Sequence, residues 1–122
     1  MATPFSEWLG ISFEKGEAVL EVEPHHKNKR GVVHGGMVSS LLDMALGSAV
    51  IGSMKPEEWC GTASLDIHFV RPARGDVVRA RGKLVNRGHR IAFAEGELVD
   101  QRGNVCARAQ GVWYIWPAHP DQ

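Results

Sequence analysis

Hydrophobic positions along this chain change their period twice. Residues 9–13 and 18–22 alternate around a polar quartet, Glu14-Lys15-Gly16-Glu17, whose glycine supplies turn freedom, and this spacing predicts a β-hairpin. The segment 1–8 before it predicts a short helix or a loose arm, anchored to the core by Trp8 and Leu9. Residues 23–30, EPHHKNKR, read as a polar connection. From Met37 the pattern becomes helical: Val38, Leu41, Leu42, Met44, Ala45, Leu46, Ala49 and Val50 leave few polar positions, so a helix apolar almost all round should be buried. Gly52-Ser53-Met54-Lys55-Pro56 ends it. The period then falls to two. In residues 62–70, Ala63, Leu65, Ile67 and Phe69 face one way and Thr62, Ser64, Asp66 and His68 the other. Alternation resumes in 77–85, 90–99 and 105–116, separated by turns at 71–76, 86–89 and 100–104, until Pro117 stops the last strand. The predicted order is a hairpin, one long helix and an antiparallel meander of four long strands, an α+β domain spanning residues 1–122. A single apolar helix covers such a sheet only if the sheet wraps around it.

One side chain breaks the helical pattern. Asp43 is the only Asp, Glu, Lys or Arg in residues 31–50, and a carboxylate among Leu42, Met44 and Leu46 must lose hydration, a cost tolerated when it is hydrogen-bonded or has a task. At the other end, His34-Gly35-Gly36 stands where the helix should begin, and glycine there lets a ligand approach backbone N–H groups at the positive end of the helix dipole. A helix start that polarises a carbonyl and a carboxylate further along are two parts of an acyl-transfer site. Their spacing adds a constraint. Gly35 and Asp43 are eight positions apart, which separates them by roughly 12 Å along the helix axis at ~1.5 Å per residue. They cannot both touch one carbonyl, so a shared reaction requires two copies of the chain facing each other across a two-fold axis. The alternative is that Asp43 caps or pairs within one subunit and the glycines merely allow close packing.

Composition narrows the class without naming it. The 122 residues, 43% hydrophobic and 23% charged, fit one soluble globular domain. A net formal charge of zero gives no global field for nucleic acid or an anionic membrane. Cys60 and Cys106 have neither metal-ligand spacing nor disulfide-scaffold density and read as buried thiols in a reducing compartment. MATPFSEWLG has no basic region followed by a long apolar run, and the apolar stretch of the helix is too short for a membrane span, so a cytoplasmic protein is expected.

The segments NKRGVVHGGMVSSLLDMALGSAV, TASLDIHFVRPARGD and GHRIAFAEGELVDQRGNVCARAQGVW resemble the hotdog-fold thioesterases of the phenylacetyl-CoA thioesterase type, within the 4-hydroxybenzoyl-CoA thioesterase superfamily. The likeness runs from about residue 9 to 116, and its most specific element is HGG at a helix start with a carboxylate nine positions after the histidine. It implies a hotdog fold, an antiparallel sheet wrapped around one central helix. By the same resemblance Asp43 matches the catalytic carboxylate, acting as nucleophile through a mixed anhydride or as general base on water. Gly35 matches the glycine whose N–H polarises the thioester carbonyl, with Gly36 beside it. His34 matches the motif histidine that shapes the loop, Asn28 an amide position near the reacting carbonyl, and Thr62 a hydroxyl that positions water, with Ser64 as its neighbouring candidate. Arg71 and Pro72, and Gly88, His89 and Arg90, match positions that bind the phosphates and pantetheine of coenzyme A, for which guanidinium forks are suited. The implied partners are an acyl-CoA substrate and further copies of the chain, a dimer that forms the sites and a dimer of dimers beyond it. Coenzyme A enters as part of the substrate, with no separate cofactor.

Competing constellations are weaker. His25, His26, His34, His68, His89 and His119 lack HExxH-like spacing and a cysteine partner, so no metal centre is expected. No GxSxG elbow or nucleotide-binding glycine loop is present. Trp59, Trp113 and Trp116 read as core or dimer contacts, and Arg79, Arg81 and Lys83, alternating on one strand, as a solvated face. Two functions stay open: an acyl-CoA thioesterase, and a hotdog protein that binds acyl-CoA without turning it over.

Overall fold

The computed structural model describes residues 2–117; His119 lies outside them. A short helix α1 (Pro4–Leu9) precedes a hairpin of β1 (Ile11–Glu14) and β2 (Glu17–Glu21). A 3-10 turn (Pro24–His26) then leads to the long helix α2 (Gly35–Ile51) and to β3 (Trp59–Phe69), β4 (Val77–Arg87), β5 (Ile91–Asp100) and β6 (Val105–Trp116). All six strands form one antiparallel sheet in the order β1-β2-β4-β5-β6-β3, with α2 packed on its inner face. This is the wrapped helix-and-sheet architecture of the hotdog fold. Among the described residues no helix is long and apolar enough to cross a membrane.

The α1 helix starts on a capping box, with the Ser6 N–H donating to Thr3 Oγ1 at 3.1 Å and the Thr3 N–H to Ser6 Oγ at 2.8 Å. Trp8 is 80% exposed and does not anchor it, because the caps turn Phe5 and Trp8 outward and bury Ser6 instead. Leu9 packs against the core as expected, and a second anchor comes from the segment read as a polar connection. His26 is buried; its Nδ1 accepts the Glu23 N–H at 2.9 Å and its Nε2–H donates to the Leu9 carbonyl at 2.7 Å. These backbone partners assign the neutral Nε2–H tautomer.

Leu41, Leu42, Leu46 and Val50 of α2 are fully buried against Leu20, Val78, Leu98 and Trp113 of the sheet. The close approach depends on Gly82 and Gly96, which face each other across β4 and β5 under the middle of the helix. A Cβ on Gly82 would collide with the Ala45 carbonyl, and one on Gly96 with the Arg81 carbonyl.

Two expectations are corrected here. The helix is not covered all round: Ser39, Ser40, Asp43, Met44, Gly47 and Ser48 are only half-buried. Nor do the last four strands form a meander. β3 pairs with β6, from Trp59↔Trp116 to Phe69↔Ala107, and forms the sheet edge opposite β1. The segment 70–76 is a crossing rather than a tight turn. It runs over the strand ends below the start of α2, held by the Val70 N–H to the Cys106 carbonyl at 2.8 Å, Val33 N–H to Ala73 at 3.0 Å and Val22 N–H to Asp76 at 2.8 Å. Alternation alone specifies which face a residue occupies, not which strand lies beside it.

Candidate active site

Helix α2 begins where the sequence places it, with His34 as N-cap. His34 Nδ1 accepts the Gly36 N–H at 2.9 Å, while the Met37 and Val38 N–H groups donate to the His34 carbonyl at 2.9 and 3.0 Å. The remaining amide of this first turn, the Gly35 N–H, has no acceptor among the described residues. It therefore stands as an open donor at the positive helix end, while Gly36, expected beside it, has its own donor occupied by the capping imidazole.

Gly35 lines a groove of about 470 Å³ with Asn28, Arg30, Phe69, Arg71 and Pro72. Asn28 shapes its rim: Oδ1 accepts the N–H groups of Arg30 at 2.9 Å and Val32 at 3.2 Å, an Asx-type turn that sets the approach to the helix. The crossing segment 70–76 carries Arg71 and Pro72 beneath the same helix end, and Arg71 is exposed there.

Asp43 lies two turns further on, in a different cavity. Its Oδ1 accepts the Thr62 hydroxyl at 2.8 Å, and the surrounding space of about 200 Å³ is walled by Phe13, Met44, Gly47, Ile51, Cys60 and Trp113. The carboxylate is half-buried, not sunk in the core, since no strand of its own chain lies beyond β3 to cover that side of the helix. Thr62 reaches Asp43 through a bulge. Thr62 pairs with Trp113 but Ser64 with Val112, leaving Ala63 as the extra residue. The extra residue reverses the parity of the strand, so Thr62 and Cys60 face the helix whereas Ser64, expected on the same face as Thr62, points away with Asp66 and His68. Ser64 thus drops out as a partner of Asp43. Cys60, read from the sequence only as a buried thiol, is brought beside Asp43 by the bulge. Burial, and after it the Asp43 charge, pushes its thiol above the ordinary value.

The turn at 88–90 lies near the Trp59 and Trp116 end of the sheet, since Ile91 pairs with Tyr114, which also faces Gly61. Arg87 organises it: its guanidinium holds Glu58 at 2.7 and 2.8 Å and donates to the Gly88 and His89 carbonyls. Arg90 is exposed. Arg71 and Pro72 follow Phe69 at the other end of β3; the seven steps of strand from Thr62 to Phe69 span roughly 23 Å. One chain therefore brings together Asn28, His34, Gly35, Gly36, Arg71 and Pro72, and separately Asp43 and Thr62 towards the end bearing Gly88, His89 and Arg90. Neither half contains both an open amide and a carboxylate.

Glu23, His25 and His26 lie close enough together to suggest a cation site, but both ring nitrogens of His26 are engaged by backbone.

Comparison with known proteins agrees with this architecture. The chain is 32% identical over 107 residues to a protein of Saccharolobus solfataricus named as an esterase, covering 86% of this chain and 76% of that protein. It is 26% identical over 133 residues to the medium/long-chain acyl-CoA thioesterase YigI of Escherichia coli, covering 92% and 85%. Among solved structures, a Bacillus halodurans protein crystallised with CoA superposes with a TM-score of 0.90 at 28% identity, over 95% of this chain and 78% of that one. A phenylacetic acid degradation-related thioesterase from Ralstonia eutropha gives a TM-score of 0.81 at 28% identity, over 93% and 92%. The family model for the thioesterase superfamily matches residues 30–107, well over half of the sequence, and the chain belongs to that superfamily.

Proposed function

We propose that this protein hydrolyses acyl-CoA thioesters at a site composed from two subunits, the Gly35 N–H of one binding the thioester oxygen and Asp43 of the other driving the attack. The reading is carried by the unaccepted Gly35 N–H, an oxyanion donor at a helix start with no carboxylate in its own groove. Antiparallel pairing of two β3 edges, centred near the middle of the strand, would bring the Thr62 level of one copy beside the Phe69 level of the other. The same operation carries Asp43 towards the partner's helix start and the 88–90 turn towards the partner's Arg71 and Pro72. β3 suits such pairing, being a sheet edge with Trp59, Phe69 and Val70 exposed by 46%, 58% and 52%.

The steps follow from these groups. The carbonyl oxygen accepts the Gly35 N–H, and the helix dipole favours the charge that grows there. Water, deprotonated by Asp43, or the carboxylate itself attacks the carbonyl carbon; the tetrahedral intermediate collapses and CoA thiolate leaves. In the nucleophilic variant the mixed anhydride is then hydrolysed. Thr62 orients the carboxylate through its hydrogen bond, and the acyl group occupies the apolar cavity beside it. An aromatic acyl group is suggested by the phenylacetyl-CoA thioesterase resemblance and an aliphatic one by the likeness to YigI.

A binding-only protein is the second reading, since the Thr62 hydroxyl already satisfies one oxygen of Asp43 within a subunit. Free-thiol release from aromatic and aliphatic acyl-CoAs separates the two. Asp43→Asn should lower kcat by about 10²- to 10⁴-fold. Gly35→Pro deletes the open N–H at the first helical position, where proline is tolerated, and the extended His34 (φ −59°, ψ 140°) suits a following proline. It should cost about 10²-fold or more in kcat while the helix stays intact by circular dichroism. Turnover at the wild-type rate in both variants would remove this mechanism; no thiol release by the wild type would leave binding alone.

A further inference from the structure

Trp113 is a core residue whose one polar atom the fold leaves unused. The residue is 1% exposed, and its indole N–H, a donor only, has no acceptor among the described residues. Among them Arg87 Nε is the one unpartnered side-chain nitrogen that is fully enclosed, so the Trp113 N–H is not sealed in. It opens on the cavity of about 200 Å³ that Trp113 lines together with Asp43. A buried indole ordinarily finds a partner for this group.

Two glycines place the ring. A Cβ on Gly111 would stand 2.7 Å from Cζ3 and 2.8 Å from Cη2, so a side chain there would drive the indole out. A Cβ on Gly47 of α2 would stand 3.5 Å from Nε1, an ordinary van der Waals distance, with no other atom of a neighbouring element within 4 Å. Packing therefore does not require glycine at 47, where it weakens the helix, and its effect is to leave the space before the N–H open. Gly47 comes one turn after Asp43, about 6 Å along the axis. Trp113 in turn pairs across the sheet with Thr62, the residue that donates to Asp43. The walls nearby are apolar, among them Phe13, Met44 and Ile51. Two of the cavity's hydroxyls are already spent, Thr62 on Asp43 and Thr3 on Ser6. Ser48 has a hydroxyl that can rotate onto a carbonyl of its own helix, whereas the indole N–H is fixed by its ring.

We propose that Trp113 determines specificity by donating its N–H to an oxygen on the body of the acyl group, so that the protein prefers acyl chains bearing a ketone or ether oxygen about one helical turn beyond the thioester to plain hydrocarbon chains of the same length. The inference rests on the thioesterase reading above and deepens it by naming the acyl class. A hydrocarbon seated against the indole strips water from the N–H and returns no acceptor, whereas an oxygen at that level replaces what is lost. A site built around such a donor rejects the analogue without the acceptor more strongly than an apolar wall distinguishes one methylene from the next. Gly47 keeps the donor uncovered, and the Asp43–Thr62 pair, occupied with the reaction, does not compete for the same oxygen.

The test compares thiol release from 5-oxohexanoyl-CoA and hexanoyl-CoA, which match in length and differ in the acceptor. The wild type should favour the ketone by about five- to a hundredfold in kcat/KM, the range expected when a buried donor is otherwise left unpaired. Trp113→Phe removes the N–H and should bring that ratio towards one. If this variant does not fold, Gly47→Ala serves in its place, covering the N–H with a methyl group while keeping the ring and favouring the helix. A wild type indifferent to the ketone, or a preference that survives the substitution, overturns the inference and leaves the thioesterase reading standing. The indole N–H resonance of Trp113, identified in ¹⁵N-labelled protein by its absence from Trp113→Phe or its displacement in Gly47→Ala, reads the contact without turnover. In Asp43→Asn protein the ketone should move it downfield and hexanoyl-CoA should not, which supports the inference even if the wild type cleaves neither thioester. Equal shifts with both ligands, or none with the ketone, overturn it.

Discussion

The proximity of Cys60 to Asp43 can be measured apart from any catalysis. Burial and the neighbouring carboxylate both disfavour the Cys60 thiolate, so its alkylation by iodoacetamide near neutral pH should be slow. Asp43→Asn removes the charge contribution but not the burial, which lowers the Cys60 pKa and raises the thiolate fraction. Alkylation of Cys60, followed by mass spectrometry with Cys106 as internal comparison, should therefore quicken several-fold in the variant; an unchanged or slower rate would mean that the two groups do not sense each other. Asp43 itself was legible in the sequence, because a lone carboxylate in an apolar helix is an energetic anomaly whatever surrounds it. Its setting was not. The carboxylate is half-exposed because β3 is the sheet edge, and the thiol beside it and the loss of Ser64 as a partner follow from one extra residue at Ala63, which no alternation of apolar and polar positions reveals. His26 escaped notice for a similar reason: a histidine in a polar run looks solvated until both of its nitrogens find backbone partners.

Elements were easier to read than the way they pair. The hairpin, the helix with its start at His34 and the long strands lie close to where their periodicities put them, since burial of one face imposes those periods. The neighbour of β3 was misread because four alternating strands in sequence suit a meander equally well, and only the crossing segment, pinned to Cys106 and Val33, carries the chain across the strand ends. That crossing also delivers Arg71 to the helix start. The helix-to-sheet distance has a sharper signature. Gly82→Ala should destabilise the fold by about 1–3 kcal/mol, because the added methyl meets the Ala45 carbonyl and α2 must lift off the sheet. Urea unfolding should show a lower midpoint with an unchanged m-value; a midpoint equal to wild type would show that the helix has room to spare.

At the scale of the whole molecule the proposed site is divided between two separate places on one chain, the groove at Gly35 and the cavity at Asp43. Mixing the two inactive variants tests whether they belong to different subunits. In a heterodimer of Asp43→Asn with Gly35→Pro, one site receives both lesions and the other receives neither. Random reassociation should thus restore about a quarter of wild-type activity, whereas a site contained within one chain gives no recovery, and sedimentation of the mixture verifies the stoichiometry. The bulge in β3 has a consequence for any strand laid along that edge. On one side of Ala63 the odd-numbered side chains face the helix, on the other the even-numbered ones, so the edge has a phase boundary as well as a direction. A neighbour sliding by one residue would be out of step on both sides at once. In the proposed pairing of two copies, the irregularity that lends Asp43 its hydroxyl would thereby act as a detent, admitting one alignment of the joined sheets and penalising the next.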